Sequence, residues 1–209
     1  MPLRFTHIRL ENWRNFLAVD APLERRVFLV GPNASGKSNF LDAFRFLRDI
    51  ADPERGGFQS AVKSRGGVSQ IRSLHARRYP NVTIEVELLL DDEVRWTYRI
   101  EFTQDNQRSP VIQREMVKRG DEVLRNRPDS ADQEDKNLLT QTHLQQTNAN
   151  KPFRALQEAF SKVQYLHIVP QLVREPDRSV GRTHDPYGGD FLEQVAATPK
   201  KILESRLRR

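Results

Sequence analysis

Val27-Phe28-Leu29-Val30-Gly31-Pro32-Asn33-Ala34-Ser35-Gly36-Lys37-Ser38 is the stretch on which the fold turns. Its last eight residues fit the pattern G-x-x-x-x-G-K-[ST], with an apolar run before them and an amphipathic segment after them. That setting predicts a strand over 27–30, a phosphate-cradling turn and a helix opening near Gly36. The glycines let the backbone curl so that successive N–H groups face an anion, and the helix adds its positive end. Lys37 is expected to reach β- and γ-phosphates, and the Ser38 hydroxyl to coordinate Mg²⁺.

Downstream, Phe40, Leu41, Phe44, Leu47 and Ile50 recur at three- and four-residue steps, so one apolar stripe is expected to pack on a sheet. Asp52-Pro53-Glu54-Arg55-Gly56-Gly57 ends that helix. Arg65-Gly66-Gly67 then reads either as a loop near the nucleotide or as a surface turn. Upstream, residues 5–10 and 16–19 predict two short strands joined by a turn.

Residues 82–126 change character. Val82, Ile84, Val86 and Leu88 alternate with polar neighbours, and Val94, Trp96, Tyr98, Ile100 and Phe102 do so again. With Val111–Lys118 and Glu122–Leu124 turning about Arg119-Gly120-Asp121, the segment predicts an antiparallel β-meander. Leu88-Leu89-Leu90-Asp91-Asp92-Glu93 imitates an apolar strand ending in a magnesium-binding Asp and a catalytic Glu. The imitation is rejected, because a strand buried on both faces is continuously apolar and this one alternates. No catalytic residue is assigned. Residues 127–150 form a polar loop or marginal helix. Lys151–Lys162 predicts a helix, Val163–Val169 a strand ending at Pro170-Gln171, 176–189 a loop, and 191–209 a helix interrupted at Pro199.

Composition bounds the class. The chain of 209 residues is long enough for one substantial core. A hydrophobic fraction of 37% beside a charged fraction of 30% fits a water-soluble protein with long polar insertions. No apolar run approaches the roughly 18 residues of a membrane span, and Met1-Pro2-Leu3-Arg4 opens no signal peptide, so a cytoplasmic location and no membrane partner are expected. The absence of cysteine excludes disulfides, thiolate catalysis and cysteine-ligated zinc. The histidines, at 7, 75, 143, 167 and 184, never reach metal-ligand spacing. The net charge of +6 is spread over short clusters such as Arg25-Arg26, Arg77-Arg78 and Arg206 to Arg209, which is compatible with nucleic acid and equally with solvated surface.

Asn12-Trp13-Arg14-Asn15-Phe16, followed by the phosphate loop and its continuation Ser38-Asn39-Phe40-Leu41-Asp42-Ala43, resembles the RecF/SMC/OLD-like group of ABC-type ATPases. Asn33 and the residues after Lys37 carry the resemblance most specifically. It implies an α/β P-loop NTPase of the ABC/SMC-head type, with an antiparallel β subdomain (82–126) inserted after the first helix and a single domain over 1–209. The implied nucleotide contacts are Asn33, Ala34, Ser35, Gly36, Lys37, Ser38 and Asn39 of the loop, with Arg14 near the phosphates. The implied metal contacts are Ser38 and Gln171, and the cofactors are ATP and Mg²⁺.

The resemblance further implies heads that pair about two nucleotides, hence a homo-oligomer, with a nuclease or effector partner in DNA maintenance or anti-phage defence. One departure stands out. The residues after Gln171 contain no apolar strand ending in Asp-Glu, so the chain reads as the N-terminal half of such a head, with hydrolysis dependent on a longer chain or a partner. A non-hydrolysing ATP-binding scaffold is the second reading. A metabolite kinase is the weakest, for want of an arginine-rich lid.

Overall fold

The computed structural model describes residues 3–52, 54, 56–74, 76, 80–90, 94–174, 187 and 189–200. Asp91, Asp92 and Glu93, His75 and His184, Arg77-Arg78, most of the loop over 176–189 and the basic end Arg206 to Arg209 lie outside the described residues. The chain packs as two units, Met1–Val163 and Gln164–Arg209.

The first unit is built on one six-stranded antiparallel sheet. Its strands are β1 (Arg4–Trp13), β2 (Phe16–Pro22), β3 (Val82–Leu89), β4 (Arg95–Gln104), β5 (Pro110–Arg119) and β6 (Glu122–Arg127). They lie in the order β2-β1-β3-β4-β5-β6, so the meander joins the N-terminal hairpin directly, with Ile8 opposite Val86 and Leu10 opposite Ile84. Period-two alternation sorts the faces as the sequence implies. Ile84, Val86, Leu88, Tyr98, Ile100 and Phe102 are buried, while Glu85 and Arg99 pair at 3.0 Å on the other face.

Helix α1 (Lys37–Ala51) covers the apolar face with Phe40, Ala43, Phe46, Leu47 and Ile50. Phe46 stacks on Phe102 of β4 with ring centroids 5.5 Å apart and meets Trp13 edge-on at 5.4 Å, geometries that aromatic quadrupoles favour. Two short helices follow in a stretch where the sequence reading marked only the glycine turns: α2 (Gly57–Lys63) and α3 (Val68–Ile71). Phe58, Ala61 and Val62 carry the helical spacing of α2 and are buried, a signal too short to stand out from the sequence alone.

Residues 127–150 form α4 (Ser130–Glu134), whose Asp129 and Asp132 make a reciprocal capping box, followed by a 3₁₀ turn over Lys136–Thr140. Helix α5 (Arg154–Ser161) lies within the expected helix and buries Leu156, Ala159 and Phe160. Arg127 anchors the polar segment. Its guanidinium donates to Asp132, to Glu115 Oε2 at 3.1 Å and to the carbonyls of Leu138 and Gln141 at 2.9 Å. Glu115 also accepts from the backbone N–H of His143 and of Leu144 and from the Tyr98 hydroxyl. Buried charges persist only when satisfied in this way.

Two expected strands do not form. Val27–Val30 joins no ladder and is exposed at 47, 85, 36 and 93% along its four residues. A strand leading into a phosphate loop is stable only with neighbours that bury both its faces, and among the described residues none runs beside it. It borders instead a cavity of about 680 Å³ lined by Phe5, Val27, Leu29, Phe40, Phe44 and Leu89. The second unit shows the same thing over 164–169, which with Val163 before it joins no strand and leaves Leu166 and Ile168 exposed. That unit continues as α6 (Pro170–Arg174) and α7 (Phe191–Ala197), where the chain leaves the helix before Pro199. No helix among the described residues is long and apolar enough to cross a membrane.

Candidate nucleotide-binding site

The loop that precedes α1 has the backbone its sequence demands. Gly36 sits at φ 101° as the residue before the helix, and Ala34 at φ 64°. Glycine adopts the left-handed region without cost, whereas an L-residue such as Ala34 loses roughly 1–2 kcal/mol there. The loop is therefore held in shape by its surroundings. No side chain caps the start of α1, and its first turn carries no acidic residue. The N-terminal N–H groups and the positive end of the helix dipole are left for an anion.

Asn33, Ala34, Ser35 and Ser38 are exposed, Lys37 and Asn39 half-buried and Gly36 buried. Lys37 Nζ folds back over the loop and donates to the carbonyls of Gly31 at 2.8 Å and Pro32 at 2.7 Å. Two of its three ammonium donors are used in this way, and the third suits a phosphate oxygen. The exposed cradle, the cation and the uncapped helix fit a nucleotide polyphosphate, and the Ser38 hydroxyl fits one ligand position of a Mg²⁺ bound with it. Among the described residues no cluster of three His, Asp or Glu side chains offers a metal site independent of such phosphates.

The turn between β1 and β2 grips this loop from the side. Trp13, fully buried, donates its indole N–H to the Asn39 carbonyl at 2.7 Å. Asn15 accepts from Asn39 Nδ2 at 2.8 Å and faces the Ser35 carbonyl at 3.4 Å. A β-carbon on Gly36 would fall inside the Asn15 amide and within 2.8 Å of Phe16 Cζ, so glycine is required there by packing as well as by φ.

Arg14 extends from the same turn, itself at φ 55°, with its N–H bonded to the Ile71 carbonyl at 2.6 Å. Its guanidinium reaches Asp42 Oδ2 and the Gln70 carbonyl, both at 3.2 Å. Asp42 stands on α1 one turn beyond Ser38. It also accepts from Arg65, whose side chain is only 5% exposed and bonds Asp49 as well. Of the two readings of Arg65-Gly66-Gly67, the turn is the one that forms, with Gly66 exposed, and the Arg65 side chain folds inward from it to brace α2 against α1 through the Ala61 carbonyl, Asp42 and Asp49. Gln171 lies in α6, in the second unit.

Trp13, Asn15, Asp42 and Arg65 were not singled out from the sequence as site residues. Trp13 and Asn15 stood inside the Asn12–Phe16 stretch already marked, but their targets lie 26 and 24 residues away.

Farther from the loop, the buried cluster shifts several ionisations. Burial pushes Glu115 above the usual carboxylate range, against the bonds from His143, Leu144 and Arg127 that pull it down. Burial acts upward on Asp132 as well, but the hydrogen bond and charge of Arg127 and the Asp129 N–H bring it below its ordinary value. Burial, then the charges of Arg127 and Arg125, lower His143 to about 4.

Residues 26–186 match the family described as "AAA domain, putative AbiEii toxin, Type IV TA system". The chain is 39% identical over 59 residues to a DNA replication and repair protein RecF of Roseiflexus castenholzii, covering 28% of this chain and 15% of that protein. It is 43% identical over 47 residues to the endonuclease GajA of Bacillus cereus, covering 22% of this chain and 8% of that protein. These matches therefore span a small part of each relative's length. A solved structure described as "Structure of the recombination mediator protein RecF-ATPrS in RecFOR pathway" superposes with a TM-score of 0.40 at 18% identity, over 58% of this chain and 28% of that one. The family match and the RecF and GajA similarities agree with the RecF/SMC/OLD-like resemblance.

Proposed function

Because the chain belongs to this family of AAA domains, we propose that it is the ATP-binding half of an ABC/SMC-like ATPase head that serves DNA maintenance or anti-phage defence. The observation that carries the proposal is the complete phosphate loop at the uncapped, acid-free start of α1, with Lys37 folded over it. Asn33 to Asn39 bind the polyphosphate through main-chain N–H groups, and Lys37 neutralises its terminal charge. The Ser38 hydroxyl would hold a Mg²⁺ bound with the nucleotide, and that ion would offset phosphate charge. Arg14, held near α1 by Asp42, is the second cation of the site. Similarity to a DNA replication and repair protein and to an endonuclease supports a role on DNA or beside a nuclease or effector; pairing of two heads about nucleotide, in the cytoplasm, is part of the same proposal.

Phosphoryl transfer is mostly positioning and charge stabilisation. Leu88 to Glu93 belongs to an alternating meander rather than to a catalytic strand, so binding is expected without ordinary turnover until a complementary segment or partner supplies a carboxylate base. Calorimetric titration with ATP and Mg²⁺ tests the assignment: the wild type binds and Lys37→Ala does not, while circular dichroism shows both folded. Unchanged affinity in Lys37→Ala overturns the phosphate-loop assignment. Phosphate release faster than about 1 per second that depends on Lys37 overturns the half-site. The second reading, a scaffold whose nucleotide state sets assembly, is favoured instead if a reconstituted assembly binds ATP, changes size and still releases no phosphate.

A further inference from the structure

Beyond the bonds that Lys37 makes to the Gly31 and Pro32 carbonyls, the phosphate loop has little to hold its own shape. Asn33, Ala34 and Ser35 are exposed, and two of its residues, Ala34 and Gly36, sit at positive φ. Within the loop, the Ser35 N–H to Pro32 carbonyl bond is long, at 3.4 Å. A segment strained in this way keeps its conformation only when neighbouring structure fixes it. The neighbour present is the β1–β2 turn. Its Asn15 amide covers the side of Gly36 where a β-carbon would point, accepts a 2.8 Å hydrogen bond from Asn39, and faces the carbonyl of Ser35.

Resting on the nucleotide-binding reading above, the geometry points to Asn15 as a positioning residue of the phosphate loop, one that holds Ser35, Gly36 and Asn39 in their anion-binding arrangement without itself touching the nucleotide. Three features support a role in the site rather than in the core. Asn15 is exposed, so it contributes little burial. Its partners are all loop or first-turn residues. The same turn already grips Asn39 through Trp13, so Asn15 is not needed to attach the hairpin to α1. What Asn15 adds is a link between the two sides of the loop, Ser35 before the glycine and Asn39 after it. A preorganised site binds more tightly because less ordering is left to the moment of binding.

The test measures the dissociation constant of a fluorescent ATP analogue with Mg²⁺ for the wild type, Asn15→Ala, Asn39→Ala, the double variant and Lys37→Ala. Melting temperature and amide hydrogen exchange are recorded without nucleotide. Asn15→Ala is expected to weaken binding about five- to tenfold, to speed exchange of the amides over 34–38, and to leave the melting temperature within about 2 °C of wild type. The double variant should lose no more than Asn39→Ala alone, because both changes break one link.

If Asn15→Ala fails to fold, Asn15→Ser, which is uncharged and too short to link Ser35 with Asn39, is read for the same loss of affinity. Affinity within twofold of wild type, with Lys37→Ala abolishing binding, overturns the positioning role alone. Losses that multiply in the double variant, or that track a fall in melting temperature, also overturn it. A wild type that binds no nucleotide, or a Lys37→Ala that binds normally, overturns the nucleotide reading and this inference with it.

Discussion

The indole N–H of Trp13 donates to the main-chain carbonyl of Asn39 across 2.7 Å, tying the N-terminal hairpin to the first turn of the helix that follows the phosphate loop. Phe40, the next residue, closes that turn by donating its N–H to the Gly36 carbonyl at 2.9 Å. The hairpin therefore reaches the main chain of the site, where side-chain substitution cannot easily compensate. Trp13→Phe keeps most of the buried ring but removes the indole donor, leaving the Asn39 carbonyl only its helical N–H partner. A loss of about 0.5–1.5 kcal/mol in urea unfolding is expected, together with weaker ATP binding.

Ser38→Ala separates the metal-dependent part of binding from the rest. The ratio of ATP affinity with Mg²⁺ to that with EDTA should fall towards one, while binding without metal stays close to wild type. Titration under the two conditions measures it.

Arg127 lies with Glu115 and Asp132 in a site closed to solvent. Arg127→Met strands two carboxylates and two carbonyls, and should cost about 3–5 kcal/mol by urea unfolding. Arg127→Lys should rescue little of this, because an ammonium with three donors cannot reproduce a planar fork shared among four partners.

His143 gives the molecule an acid-side liability. Its value of about 4 lies below the ordinary 6.5, so between those values the unfolded chain binds more protons than the folded one. Its contribution is whole above pH 6.5 and is lost as pH falls toward 4. Glu115, raised by burial, has the opposite sign: protonation favours the folded state above its ordinary 4.5, which offsets part of the loss. Stability measured against pH should therefore fall less steeply in His143→Asn than in wild type across that window. Identical slopes would remove His143 from the account.

Asp92→Asn and Glu93→Gln are expected to leave nucleotide binding, and any turnover of a reconstituted assembly, unchanged. The alternation of residues 82–102 motivates this, and radiolabelled ATP hydrolysis measures it. Loss of hydrolysis with binding intact would make that segment the catalytic strand.

What the residues revealed depended on how local each cause was. The alternation from Val82 to Phe102 encodes a half-buried sheet within its own length, and β3 and β4 form there. The phosphate loop carries its geometry in its glycines, so Gly36 at positive φ follows from the pattern. Val27–Val30 has strand composition, but a strand is a relation between segments, and its own residues do not supply a neighbour. Asp42 is one carboxylate among many until Arg14 and Arg65, from 28 residues before it and 23 after, arrive on it. Glu115 is a charged residue inside β5. It is buried because Arg127, Tyr98 and the backbone of His143 and Leu144 satisfy it, which period-two patterning cannot encode.

The bare run Val27–Val30 changes what a sizing experiment on this chain would mean. Four consecutive apolar residues with open main-chain groups, beside an apolar cavity, make a surface prone to self-adhesion. Chains should therefore cluster as concentration rises whether or not ATP is present, through greasy contact rather than through paired heads. Only the increment in mass that appears with ATP and vanishes in Lys37→Ala would report on nucleotide-driven pairing. A mild detergent or a charge placed at Phe28, the more solvent-facing of the two central residues, should strip away the background and leave that increment intact.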